Sequence, residues 1–118
     1  MISLYGMTLK QFAERCNKTA QDKGFAPNPP QPDTVDVAQK LLLIVEEITE
    51  AHNELRSGHA PWKVYFGGLK PEGFPIELAD AVIRIADLCE QLEIDLQSAC
   101  ELKMNYNETR PYLHGRKF

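Results

Sequence analysis

Glu46, Glu47 and Glu50 follow directly on the aliphatic run Leu41 to Val45, and Glu77 and Asp80 repeat an acidic pair after an interval of 26 residues, Ala51 to Ile76. Residues three or four apart on a helix share a face, so Glu47 lies beside Glu50, Glu46 beside Glu50, and Glu77 beside Asp80. Like charges at that spacing repel, and two such pairs in one small chain call for a cation. Hard divalent ions suit them, because Mg²⁺ and Mn²⁺ prefer carboxylate oxygen and water. The plainer reading is that acids on the polar side of an amphipathic helix are solvated, and periodicity alone favours it. Against it stands the position of Glu46 and Glu47, at the point where the run expected to be most buried ends. The place of Glu77 and Asp80 in the first turn after Pro75 fits helix capping as well as it fits a site. A carboxylate di-iron centre would need Glu-x-x-His pairs. Thr49, Arg56 and Pro111 stand three residues before His52, His59 and His114, so that ligand type is missing. An oxygen-only site points to Mg²⁺ or Mn²⁺, whose common task is to clamp phosphates.

The elements that must carry these residues fit one domain, 1–118. A net charge of −4 speaks against a general binder of nucleic-acid polymers or anionic membranes. No apolar run approaches the roughly 20 residues that span a bilayer. Met1 to Gly6 lacks the basic and apolar regions of a signal peptide, so a cytoplasmic protein is expected. Cys16, Cys89 and Cys100 are odd in number and widely spaced, and read as reduced packing residues.

Thr8 and Gln11 have the form of a capping box, and Leu9, Phe12, Ala13, Cys16 and Ala20 continue at helical spacing to Lys23-Gly24. Four prolines make Ala26 to Asp33 a loop. Asp33 or Thr34 is expected to cap a second helix to about Arg56, with Leu41, Ile44, Val45, Ile48, Ala51 and Leu55 on one face. His52 falls near that face and reads as a half-buried packing residue. His59 to Phe74 is expected to be irregular, with a weak strand at Lys63 to Phe66 that has no obvious partner. Trp62 in this stretch reads as a residue closing over the core or meeting a second subunit. Pro75 suits the first turn of a third helix, whose buried stripe would be Leu78, Ala81, Val82, Ile85, Cys89 and Leu92. Asp95 and Ser98 look like the cap of a fourth, with Leu96, Ala99, Leu102, Met104 and Tyr106 along it, ending before Pro111. The expected fold class is all-α, a four-helix bundle or half-bundle.

Glu47-x-x-Glu50, the 26-residue interval and Glu77-x-x-Asp80 together resemble the signature of the MazG-like nucleotide pyrophosphohydrolases, in the all-α NTP pyrophosphatase superfamily. Lys103-x-x-x-Asn107-x-x-Arg110-Pro111, followed by His114-Gly115-Arg116-Lys117, is similar to the closing segment of single-domain members. Pro71 to Ile76 resembles their lead-in to the second acidic pair. The likeness covers Leu41 to Lys117 well and the first helix only in general character. It implies a four-helix fold completed by homodimer or homotetramer formation, and Mg²⁺-dependent hydrolysis of a (d)NTP to the monophosphate and pyrophosphate. It implies metal ligation by Glu47, Glu50, Glu77 and Asp80. Glu46 is then a candidate to orient the attacking water, with a plain surface acid as the equal alternative. Lys103, Asn107 and Arg110 can face one phosphate ligand, or form a cationic helix end that serves its own dipole; the acidic motifs favour the first. His114 is a weaker candidate for the same ligand. Asn17 and Lys18 are available for base or sugar contacts. The rival from another class is a non-catalytic helical interaction module whose acids keep its surface soluble. The presence of all four acids together with Lys103, Asn107 and Arg110 favours the hydrolase.

Overall fold

Thr8 does close a capping box. Its hydroxyl accepts from the Gln11 amide at 3.0 Å, and the Gln11 side chain accepts from the Thr8 amide at 2.9 Å. In the computed structural model, which describes residues 1–117, this starts α1 (Leu9–Asp22). Lys23 caps its far end, and Gly24 turns the chain with a φ of +82°. The proline-rich loop then makes a 3-10 turn, Pro32–Thr34, in which the Thr34 hydroxyl donates to the Gln31 carbonyl. Thr34 is thus engaged, and the cap of α2 (Val37–Arg56) falls to Asp36, which accepts from the Gln39 amide at 3.1 Å. That corrects the expected cap by two to three residues.

The strand expected near Lys63 to Phe66 finds its partner close by. Strand β1 (Tyr65–Gly67) pairs antiparallel with β2 (Lys70–Glu72), with Tyr65 opposite Glu72 and Gly67 opposite Lys70. Gly68, at φ +66°, opens the two-residue turn between them, where only a positive φ matches the twist of the strands. Gly73 then caps α3 (Phe74–Gln91), with Pro75 in its first turn. Asp95 caps α4 (Leu96–Thr109), accepting from the Ser98 amide at 3.0 Å and the Ser98 hydroxyl at 2.8 Å. A last 3-10 turn, Tyr112–Gly115, follows Pro111.

Helix α3 runs through the middle, packed against α2 on one side and α1 on the other, while α4 packs on α1. The buried apolar residues are Ala13, Ala51, Ala81, Ala86 and Leu88. The four alanines let the helices approach closely, but they bury little area, and area is what stabilises a core. Most of the large aliphatic residues are elsewhere. Leu41 is 52% exposed, Val45 56% and Val82 51%. Leu102 on α4 is 76% exposed. This corrects the expectation that Leu41 to Val45 is the most buried run and that Leu78, Val82 and Ile85 form a buried stripe. The periodicity is helical, but among the described residues no element covers that face. His52 and Trp62 are also exposed rather than half-buried or closed over the core. A radius of gyration of 16.7 Å says the same. A closed domain of this length would have about 13 Å. The class is helical, with one small hairpin, and the four helices do not close into a bundle. Among the described residues, no helix is long and apolar enough to cross a membrane.

Candidate metal centre

Helices α2 and α3 lie side by side with the C-terminal half of α2 against the start of α3, and this brings the two acidic pairs together. One carboxylate oxygen each from Glu47, Glu77 and Asp80 lies within 4.8 Å of the others. Glu47 is the buried member, at 8% exposure. Its Oε1 accepts from Arg84 Nε at 2.9 Å. Its Oε2 is, among the described residues, the one buried side-chain oxygen or nitrogen that has no partner. A buried carboxylate oxygen left unmatched costs free energy, and a cation is the partner its chemistry asks for. Glu50 is exposed and stands outside the converging triplet, yet it lies within hydrogen-bonding reach of Glu77.

The electrostatics reflect uncompensated negative charge. The Glu77 carboxyl is pushed up to about 7, first by burial and then by the Glu50 and Glu47 carboxylates close beside it. Asp80 is also raised, by burial and then by the charge of Glu47, with Arg84 pulling the other way. The three residues could hold a metal ion: the donors are all oxygen, they converge, and one of them is buried and unmatched.

A pH dependence follows. A carboxyl whose folded value is raised holds its proton more tightly when folded, so its contribution to stability is complete below the unfolded value and lost as pH rises through about 7. Thermal melts in EDTA should therefore show the cation-free protein losing stability from about pH 5 to pH 7.5. Mg²⁺ competes with that proton, so the gain in melting temperature on adding it should be small at pH 5 and large at pH 8. Glu77→Gln should flatten both trends. A Mg²⁺ effect equal at both pH values would count against the cluster as the binding site.

The other residues singled out from the sequence are dispersed. Glu46 is exposed and, among the described residues, forms no hydrogen bond with the acids. Lys103 Nζ and the Arg110 guanidinium both lie over the Tyr106 ring, at 5.0 and 5.4 Å from its centroid. Among the described residues, neither they nor Asn107 nor the exposed His114 hydrogen-bonds or ion-pairs with the acids. Lys18 pairs with Asp22 on the surface. Asn17 is buried and its amide donates to Asp87 at 2.9 Å, while Gln91 donates to the other Asp87 oxygen at 2.8 Å. That network ties α1 to α3. Arg84 was not singled out from the sequence; its spacing of one helical turn from Asp80 was the available signal. Sequence reasoning also missed a cavity of about 760 Å³ between α1, the start of α2 and the second half of α3, walled by Phe12, Leu43, Ile83 and Leu88. Arg84, the partner of Glu47, is on its wall too, while Glu47, Glu77 and Asp80 themselves do not line it.

Compared with protein-family models, curated proteins and solved structures, the chain finds no match.

Proposed function

We propose that the chain is a Mg²⁺-dependent nucleoside triphosphate pyrophosphohydrolase of the MazG-like kind, releasing pyrophosphate from a (d)NTP in house-cleaning or nucleotide-pool control. The observation that carries this reading is the convergence of Glu47, Glu77 and Asp80, with Glu47 Oε2 buried and unmatched. Those three residues, with Glu50 beside them, would hold the ion. When bound, it polarises phosphoryl oxygens and offsets the charge of the departing pyrophosphate. Arg84 keeps Glu47 in place through one oxygen and leaves the other free. Glu46 is the candidate to orient the attacking water. The cavity beside Arg84 is of the size that small-molecule ligands fill, roughly 300–1,000 Å³, and would take the nucleoside end.

Lys103, Asn107 and Arg110 would contact the phosphates. Because α4 lies on α1 and away from the acids' hydrogen bonds, we assign them to an assembled form in which a second copy completes the site. The uncovered aliphatic face of α2 and α3 supports assembly as a homodimer or homotetramer, since a large exposed apolar patch marks an interface.

The test is pyrophosphate release from a panel of canonical and modified (d)NTPs, with Mg²⁺ or Mn²⁺, in protein whose oligomeric state is set by sedimentation. Release that requires the metal is expected. Folded, assembled protein that releases none from any nucleotide would overturn the reading and leave a helical interaction module.

A further inference from the structure

The C-terminal end of α2 holds a second polar cluster that hydrolysis as proposed does not use. Glu54 Oε2 accepts from His59 Nδ1 at 2.5 Å. The Tyr65 hydroxyl donates across both Glu54 oxygens, at 2.8 and 2.9 Å. The Glu54 and His59 side chains are only 15% and 29% exposed. The His59 and Tyr65 rings meet edge to face with centroids 4.9 Å apart. Such contacts are built into the fold, because three groups from α2, the loop and β1 must arrive together to make them.

What this cluster fastens is the beginning of α3. Tyr65 stands opposite Glu72 in the hairpin, and Glu72 precedes Gly73, the cap of α3. The Gly73 carbonyl accepts from the amides of Ile76 and Glu77 at 3.0 and 3.1 Å. The same loop presses on α3 a second time. The Lys63 carbonyl oxygen occupies the space where a Cβ of residue 73 would sit. The segment from His59 to Gly67 is therefore held to α2 at one end and seated on the first turn of α3 at the other. That turn carries Glu77 and leads to Asp80. The charge of Glu77 is also among the influences that, after the bond to Glu54, push the Tyr65 hydroxyl up to about 12.

We propose that Glu54, His59 and Tyr65 form a latch that fastens the hairpin to α2 and fixes the first turn of α3, which makes Tyr65 a positioning residue for the carboxylates of Glu77 and Asp80. The positioning role rests on the reading of those acids as a cation site; the latch itself does not.

Two readouts keep the parts distinct: amide exchange of Ile76 and Glu77 by NMR, and Mn²⁺ binding followed by its paramagnetic resonance. Losing the Tyr65 hydrogen bond should speed exchange of these two amides several-fold to about tenfold in Tyr65→Phe. Weakening of Mn²⁺ binding by about tenfold should accompany it, as for other groups that orient ligands. Glu54→Gln retains an acceptor for the Tyr65 hydroxyl and should fall between wild type and Tyr65→Phe. Thr8→Ala loses the N-terminal cap of α1 and is destabilised to a similar degree, yet it should change neither readout. Unchanged exchange in Tyr65→Phe would overturn the latch. Faster exchange with unchanged Mn²⁺ affinity would overturn the positioning role. Wild-type protein that binds no Mn²⁺ would sink the cation site, and with it the positioning role, while exchange still decides the latch.

Discussion

Glu47→Gln is expected to abolish cation-dependent pyrophosphate release while leaving the cation-free fold at least as stable as wild type. The two halves of that result have one cause. Glu47 is the buried carboxylate of the cluster, and it contributes both an unmatched oxygen and a negative charge that weighs on Glu77 and Asp80. Glutamine has the same shape, and its carbonyl oxygen can still accept from Arg84, so the side-chain packing between α2 and α3 survives. Removing the charge relieves Glu77, whose carboxyl then returns toward its ordinary range, and melting temperatures in EDTA at pH 8 should hold or rise. The activity has no such compensation. Changing groups that merely support metal ligands costs ~10–100-fold, so loss of a ligand should cost more than about a hundredfold. Mg²⁺ should no longer raise the melting temperature, because nothing binds the folded state in preference. A variant that kept a tenth of wild-type release would show that the triplet is not where the chemistry occurs.

The local elements were legible because each is announced by a few residues in sequence. Thr8 with Gln11, Asp95 with Ser98, Gly24 after Lys23 and Pro75 in a first turn all act within four residues of themselves, and all are found in those roles. The Asp36 cap was missed because the prolines before it build their own turn, which takes up Thr34. The hairpin was missed because three-residue strands leave no alternation to read; Gly67-Gly68 was the only mark of the turn between them. The acidic cluster was legible as two pairs with one spacing, but which members converge depends on how α2 and α3 cross. That crossing brings Glu47, Glu77 and Asp80 together and leaves Glu50 at the edge. Burial was the least legible property. Helical periodicity tells which residues share a face, and it does not tell whether anything covers that face. Leu41, Val45 and Val82 have the pattern of a core and the exposure of a surface.

The largest loss of stability is expected at a residue with no side chain. Gly73 has φ +125° and ψ 167°, a region that only glycine occupies without strain, and any side chain there costs about 1–3 kcal/mol. The collision adds to it. A Cβ at this position would overlap the Lys63 carbonyl oxygen, which is backbone and is fixed by the seating of the loop. Either the loop lifts from α3 or the helix start moves, so Gly73→Ala should lose on the order of 3 kcal/mol or more, a large effect for one methyl group. Gly58→Ala supplies the comparison. Gly58 also has a positive φ, +88°, but nothing lies within 4 Å of its absent Cβ. It should lose only the about 1–2 kcal/mol of a left-handed residue. Urea denaturation of the two variants beside wild type measures the difference directly, and equal losses would mean that the loop is not seated on α3 as described. The consequence for the site follows from the same geometry. Glu77 is four residues from Gly73 and donates its amide to the Gly73 carbonyl, so whatever displaces the cap displaces the carboxylate. If Gly73→Ala still folds, its Mg²⁺-dependent gain in melting temperature should be smaller than that of Gly58→Ala, although neither substitution touches an acid.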